Sequence, residues 1–195
     1  LVQALHGRQL TELKYDTERR AQDIQGRLFR LFESRTRAIE RMAQRLEMPD
    51  VYSEAAWKTD AFLHLKMERS FEALVQFDAQ GVEQWSLQVR LDGTAEKVRV
   101  NSADFLRTQF AHALETLTPL ITEGVRLESG GWGVWMLRPV RRDGRLMGFI
   151  AASVPMQTLL EKFIREGDAY GFDISIRDRG PMHFSNQVPA DKVYR

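Results

Sequence analysis

The side chains capable of chemistry are scattered along this chain rather than grouped. The four histidines, His6, His64, His112 and His183, show no metal-ligand spacing, and there is no cysteine, which excludes disulfides, thiolate catalysis and cysteine-ligated zinc. No glycine-rich phosphate loop or nucleophile-elbow serine is present, and the carboxylates are spread over helical surfaces where such groups are usually solvated. No catalytic residue, metal ligand or cofactor is therefore expected. A hydrolase would need a carboxylate or histidine pair converging in a cleft. The tryptophans are more suggestive. Large aromatics ordinarily fill a core, but a buried indole N–H also needs a hydrogen-bond acceptor. Trp57, Asp60 and His64 are spaced to approach one side of a helix. Arg138 adds a cation. A cation among aromatics suits a carboxylate-bearing small molecule such as an amino or organic acid, through bidentate hydrogen bonding and stacking. The expected ligand-binding set is Trp57, Asp60, His64, Trp85, Trp132, Met136, Arg138, Phe149 and Ser153.

Those residues must be positioned by a sheet and the helices on it. Trp132 to Val154, WGVWMLRPVRRDGRLMGFIAASV, holds two apolar runs either side of Asp143-Gly144, a pair that favours the two-residue hairpin turn with positive φ at both positions. With Arg142 opposite Arg145, Met136 pairs with Ala151, Arg138 with Phe149 and Val134 with Ser153. Trp135, Leu137, Ile150 and Ala152 then form an apolar face for a packed helix, the long N-terminal helix being the leading candidate. Met136, Arg138, Phe149 and Ser153 line a pocket on the other face. The plainer alternative is that Arg138 snorkels to the sheet edge.

Residues 1–47 contain no proline and only two glycines, and they are rich in helix formers, so they read as one helix. Leu28, Phe32, Ile39, Met42 and Leu46 form one apolar row, and Ile24, Leu28, Leu31, Arg35, Ala38 and Met42 an overlapping heptad row. At 1.5 Å per residue such a helix would run roughly 65 to 70 Å, so its first half is expected to project and to dimerise with a second copy. Met48-Pro49-Asp50 ends it, and Ser53 caps a second helix to about Met67. Strands follow at Phe71 to Asp78 and Val82 to Leu91, joined by a turn with Asp78 first and Gly81 fourth. A four-residue loop places Leu74 beside Trp85 and a five-residue loop places Val75 there, so the face of Trp85 stays open. A third helix runs from Ala103 to Thr116 with Phe105, Leu106, Phe110, Leu114 and Leu117 as its stripe. A fourth spans Met156 to about Glu166, and a fifth strand spans Phe172 to Arg177. Tight hairpins between strands make the sheet antiparallel and the class α+β.

With 43% hydrophobic and 28% charged residues the composition is that of a folded globular chain. A net charge of +1 offers no electrostatic reason to expect nucleic acid. No apolar run reaches the roughly 18 residues of a membrane span. The chain opens without Met inside a helical pattern, which reads as an excised fragment.

The run Arg37 to Glu47, RAIERMAQRLE, then Ala56-Trp57 with Asp60-Ala61, then FEALVQFDAQGVEQWSL at 71–87, resembles the extracytoplasmic sensor domains of bacterial membrane-bound signalling proteins, the CHASE-like and single-Cache (PDC) domains. Arg138-Pro139-Val140, a turn, Gly148-Phe149-Ile150 and Leu159-Leu160 extend the similarity, which covers most of the chain from about residue 30. The resemblance implies a PAS-like five-stranded antiparallel sheet with short flanking helices, packed by a long N-terminal helix at 1–47, with the sensor domain at 48–195. It implies a periplasm-facing domain of an inner-membrane receptor of the histidine kinase or diguanylate cyclase type. Such a domain binds a small molecule without catalysis and relays the change through its terminal helices. Contact with the membrane would run only through segments outside this chain. The alternative is a protein–protein interaction or dimerisation module without a small ligand. A closed pocket favours the first and a solid core with an exposed apolar groove the second.

Overall fold

The computed structural model describes residues 2–48, 53–68, 71–89, 95–96, 103–116, 118–156, 159–160, 175–177 and 183–185. The chain divides into two compact units, Leu1–Arg35 and Thr36–Arg195. Helix α1 (Val2–Glu47) is continuous, as the absence of proline allows, and supplies the first unit. There the side chains of Tyr15 and Phe29 are 70% and 69% exposed. Its surface pairs, Lys14 with Glu18 and Asp16 with Arg20, are exposed and contribute tenths of a kcal/mol at most. No helix among the described residues is long and apolar enough to cross a membrane.

The second unit holds the last turns of α1 and everything after it. Helix α2 (Glu54–Glu68) starts at Ser53, whose Oγ accepts from Ala56 N at 3.2 Å while its carbonyl accepts from Trp57 N at 3.0 Å, the expected cap. Strands β1 (Ala73–Asp78) and β2 (Glu83–Val89) flank the expected turn, in which the amides of Gln80 and Val82 donate to Asp78 Oδ1 and Gly81 takes φ 76°. After β3 (Ala95–Glu96) comes α3 (Ala103–Glu115), then β4 (Leu120–Ile121), β5 (Val125–Arg126), β6 (Trp132–Arg142) and β7 (Arg145–Pro155). These seven strands form one antiparallel sheet in the order β3-β2-β1-β7-β6-β4, with β5 also on β6. The last strands, β8 (Ser175–Arg177) and β9 (His183–Ser185), pair with each other in a separate sheet. The fifth position of the main sheet, expected from Phe172 to Arg177, is thus filled by two short strands at 120–126 that carry no alternating pattern of their own. The architecture is the expected α+β one, an antiparallel sheet with helices on it. Leu117, the first half of the strand expected at Phe172 to Arg177 and most of the helix expected after Met156 lie outside the described residues.

The central hairpin turns at Asp143 (φ 50°) and Gly144 (φ 76°), as its sequence requires, with Arg142 opposite Arg145. Two residues further in, the expected register fails. Arg141 pairs with Leu146 but Val140 pairs with Gly148, so Met147 is an extra residue in β7. Every pair beyond is displaced by one: Arg138 faces Ile150, Leu137 Ala151, Met136 Ala152 and Trp135 Ser153. Trp135 and Leu137 therefore share a face with Phe149, Ala151 and Ser153, and Met136 and Arg138 share the other with Ile150 and Ala152. The partition expected from an unbroken hairpin is corrected by this one bulge.

The face of Trp135 packs under α3. Leu106, Phe110 and Ala113 from α3 join Ala73, Val75 and Phe77 of β1 and Phe149 in one buried cluster, where the Phe110 and Phe149 rings stack at 4.1 Å. It is α3, and not the N-terminal helix, that covers Trp135 and Leu137. Leu114 at the end of the α3 stripe is 37% exposed. The other face receives α2, which packs on β2 and β1. The end of α1 is tied to the tip of β6, where Arg142 Nη2 donates to Leu46 O and Arg141 N to Glu47 Oε1, both at 3.1 Å.

Candidate functional site

Along the face opposite α3, the sheet, the first turn of α2 and the end of α1 leave a cavity of about 370 Å³ beside the bulge. Its floor is sheet: Gln76 of β1, Gln84 and Trp85 of β2, and Val140 of β6 opposite Gly148 of β7. Ser53 and Trp57 wall it from α2, Leu46 from α1, and Arg142 and Met147 from the hairpin. Gly148 makes this geometry possible. A Cβ there would lie 2.0 Å from Phe77 O, so only glycine lets β7 pass β1 at the bulge.

Trp85 sits opposite Gln76, because Phe77 pairs with Glu83 and Gln84 is an extra residue in β2. Neither loop length considered from the sequence places it there. It shares the face of Leu74 and Leu87, toward α2, and the Trp57 ring meets it edge-on at 4.3 Å and 85°. Lys58 Nζ stands 5.9 Å from the Trp85 ring.

The cavity walls carry two indoles and a guanidinium, which only donate, and the Ser53 hydroxyl and the Gln76 and Gln84 amides, which both donate and accept. Trp57 is 1% exposed, and its Nε1 has no hydrogen-bond partner among the described residues; the same holds for Nε of Arg142. Leaving such donors unpaired in a buried place costs about 1–3 kcal/mol each. Both residues line the cavity, while these two nitrogens are themselves buried. No acidic side chain lines the cavity among the described residues. Glu47 accepts from Arg141 N, Asp78 accepts from its own turn and from Gln84 Nε2 at 2.8 Å, and Glu83 accepts from Ser86 Oγ at 2.8 Å.

The nine residues expected to bind ligand do not all converge. Trp57 and Trp85 line the cavity together. Asp60 and His64 lie on α2 with 3.9 Å between Oδ1 and Nε2, and Asp60 also pairs with Arg45 of α1 at 2.5 Å, joining the two helices. Trp132 is at the far end of the hairpin, its ring 4.5 Å from the Arg126 guanidinium. Met136 is fully buried, and Arg138 is half-buried opposite Ile150. Phe149 and Ser153 face α3, where Phe149 is core and Ser153 Oγ accepts from Ala73 N at 2.9 Å. Ser53, Gln76, Gln84 and Arg142 were not anticipated. Gln76 carried a signal, a polar residue at an inward position of an otherwise apolar strand; Arg142, beside a turn, carried none. No group of three or more histidine and acidic residues placed to hold a metal occurs among the described residues.

The fold is that of the ligand-binding sensory domains of bacterial chemoreceptors. The sensory domain of Campylobacter jejuni Tlp3 with isoleucine bound aligns with a TM-score of 0.55 at 10% identity, over 73% of this chain and 59% of that one. The ligand-binding domain of Pseudomonas fluorescens CtaA, in complex with L-valine, gives 0.53 at 17%, over 74% and 62%. The corresponding domain of the Pseudomonas aeruginosa amino acid chemoreceptor PctC, in complex with GABA, gives 0.52 at 19%, over 77% and 64%. The chain therefore spans about three fifths of the length of these domains. No protein-family model and no curated protein sequence matches it.

Proposed function

We propose that the chain is an extracytoplasmic ligand-sensing domain of a membrane-bound signalling receptor, binding a small molecule in the cavity between α2, the end of α1 and the sheet. The observation that carries this reading is a space of about 370 Å³ walled by Trp57, Trp85 and Arg142, on the fold of chemoreceptor ligand-binding domains. Trp57, Trp85 and Arg142 are the proposed contacts, with Gln76, Gln84 and Ser53 orienting the ligand. Asp60 and His64 act behind them through the Arg45 link. The domain binds and does not catalyse. Because Arg142 touches both the cavity and Leu46 O, a ligand that draws on its guanidinium also alters the seating of the end of α1, which gives binding a route to that helix. Dimerisation through the first unit is part of the proposal. Tyr15 and Phe29, exposed and two heptads apart, offer a repeated apolar position on one helix side.

Thermal denaturation with a library of small acids, amines, amino acids and sugars tests the reading. A ligand at about 100-fold its Kd adds about 2.7 kcal/mol, a rise of roughly 5 to 10 °C in Tm for a chain of this size. At least one compound should give such a rise and change tryptophan emission through Trp57 and Trp85. No stabilisation across all classes would favour an interaction module instead.

A further inference from the structure

We infer that the tip of the β6–β7 hairpin couples the seating of α1 to that of α3, so that loosening either helix end loosens the other across the sheet. Adjacent residues of a strand point to opposite faces, and Arg141 and Arg142 are the last two residues of β6. Arg141 reaches the α3 face, where its Nη2 donates to Leu114 O at 3.1 Å. Arg142 reaches the other face, where its Nη2 donates to Leu46 O, also at 3.1 Å. Each acceptor lies in the last turn of its helix, α3 ending at Glu115 and α1 at Glu47, among carbonyls that have no partner within the helix. Two helices on opposite faces thus bring their negative C-terminal ends to one dipeptide, and a guanidinium caps each. The Arg141 amide adds a third bond, to Glu47 Oε1, so a single residue holds α3 by its side chain and α1 by its backbone. The bulge at Met147 lies immediately inboard, between the Val140 and Arg141 pairs. A bulge interrupts the ladder and bends the strand, so residues 141–146 shift as a unit against the rest of the sheet. A shift of that unit that follows one helix end draws on the bonds to the other. The coupling belongs to the free chain and does not depend on the cavity being the ligand site.

Amide hydrogen exchange, followed residue by residue by NMR on the intact chain, separates coupling from local loss. Arg141→Met deletes the bond to α3 and keeps the backbone bond to Glu47, whereas Arg142→Met deletes the bond to α1. Arg141→Met should speed exchange of the amides at 112–116 and also of those at 45–48. Arg142→Met should do the converse, because coupling between two sites is reciprocal. Each cross-effect is expected to be about threefold, the scale set by a cation at a helix C-terminus. Arg145→Met is the control. Arg145 is exposed at the same turn and has no side-chain bond among the described residues, so its loss should leave both helix ends unchanged. The amides of Leu74 and Ala151, fully buried in the sheet, report global unfolding and should keep their rates. If either cross-effect is missing, each arginine is a local cap and the inference is overturned. It is equally overturned if Leu74 and Ala151 exchange faster by the same factor, which is general destabilisation, or if Arg145→Met loosens both ends as much.

Discussion

Two indoles and one guanidinium carry the proposed site, and their environments differ in ways that single substitutions expose. Trp57 is buried with its N–H unpartnered, so replacing the indole by a phenyl ring removes a penalty as well as some contact area. Trp57→Phe is expected to change the unfolding free energy of the ligand-free chain by less than about 1 kcal/mol in urea titration, well below the 2–5 kcal/mol usual for losing large core groups. A loss of several kcal/mol would mean that the N–H has a partner. The aromatic character of the site could be read from the sequence, because Trp57 and Trp85 were unusual in type. The cation could not. Arg138 stood out as a charge inside an apolar strand, yet Arg142, nearer the turn, reaches the cavity.

The decisive element is the β6–β7 hairpin. Its turn was legible in Asp143-Gly144, since two adjacent positive φ values leave few alternatives. The bulge at Met147 was not, because its cause lies in the neighbouring strand: β1 passes so close at Phe77 that glycine is required at 148. One residue of slip reversed which of Phe149 and Ile150 shares a face with Arg138, and so exchanged half the pocket expected from the sequence for core. The same non-locality hid β4 and β5, two-residue strands held by pairing with β6 rather than by any pattern of their own. Gly148→Ala forces a Cβ against the Phe77 carbonyl and is expected to destabilise the chain by about 3 kcal/mol, read as a lowered urea midpoint with little change in slope. A loss below about 1 kcal/mol would show that β1 and β7 separate easily there, and the bulge would not be a fixed wall of the cavity.

At the scale of the whole molecule, the periodicity and proline-free length of α1 and the tight turns were enough to read the α+β class, because these are local properties. The placement of α2 and α3 on opposite faces depended on the register and was not. The first unit is a helix with exposed apolar groups, and the proposed dimer uses it. Sedimentation velocity at micromolar concentration should give a dimer for the chain and a shift toward monomer for Phe29→Glu, with unchanged helicity. A monomer at all concentrations would remove the dimer from the proposal without touching the cavity. The cavity itself is tested most directly by a crystal structure of the chain grown with a compound that stabilises it. Ligand density between Trp57, Trp85 and Arg142 is the predicted result. Density on the α3 side of the sheet, or at an exposed surface with the cavity unchanged, would contradict it.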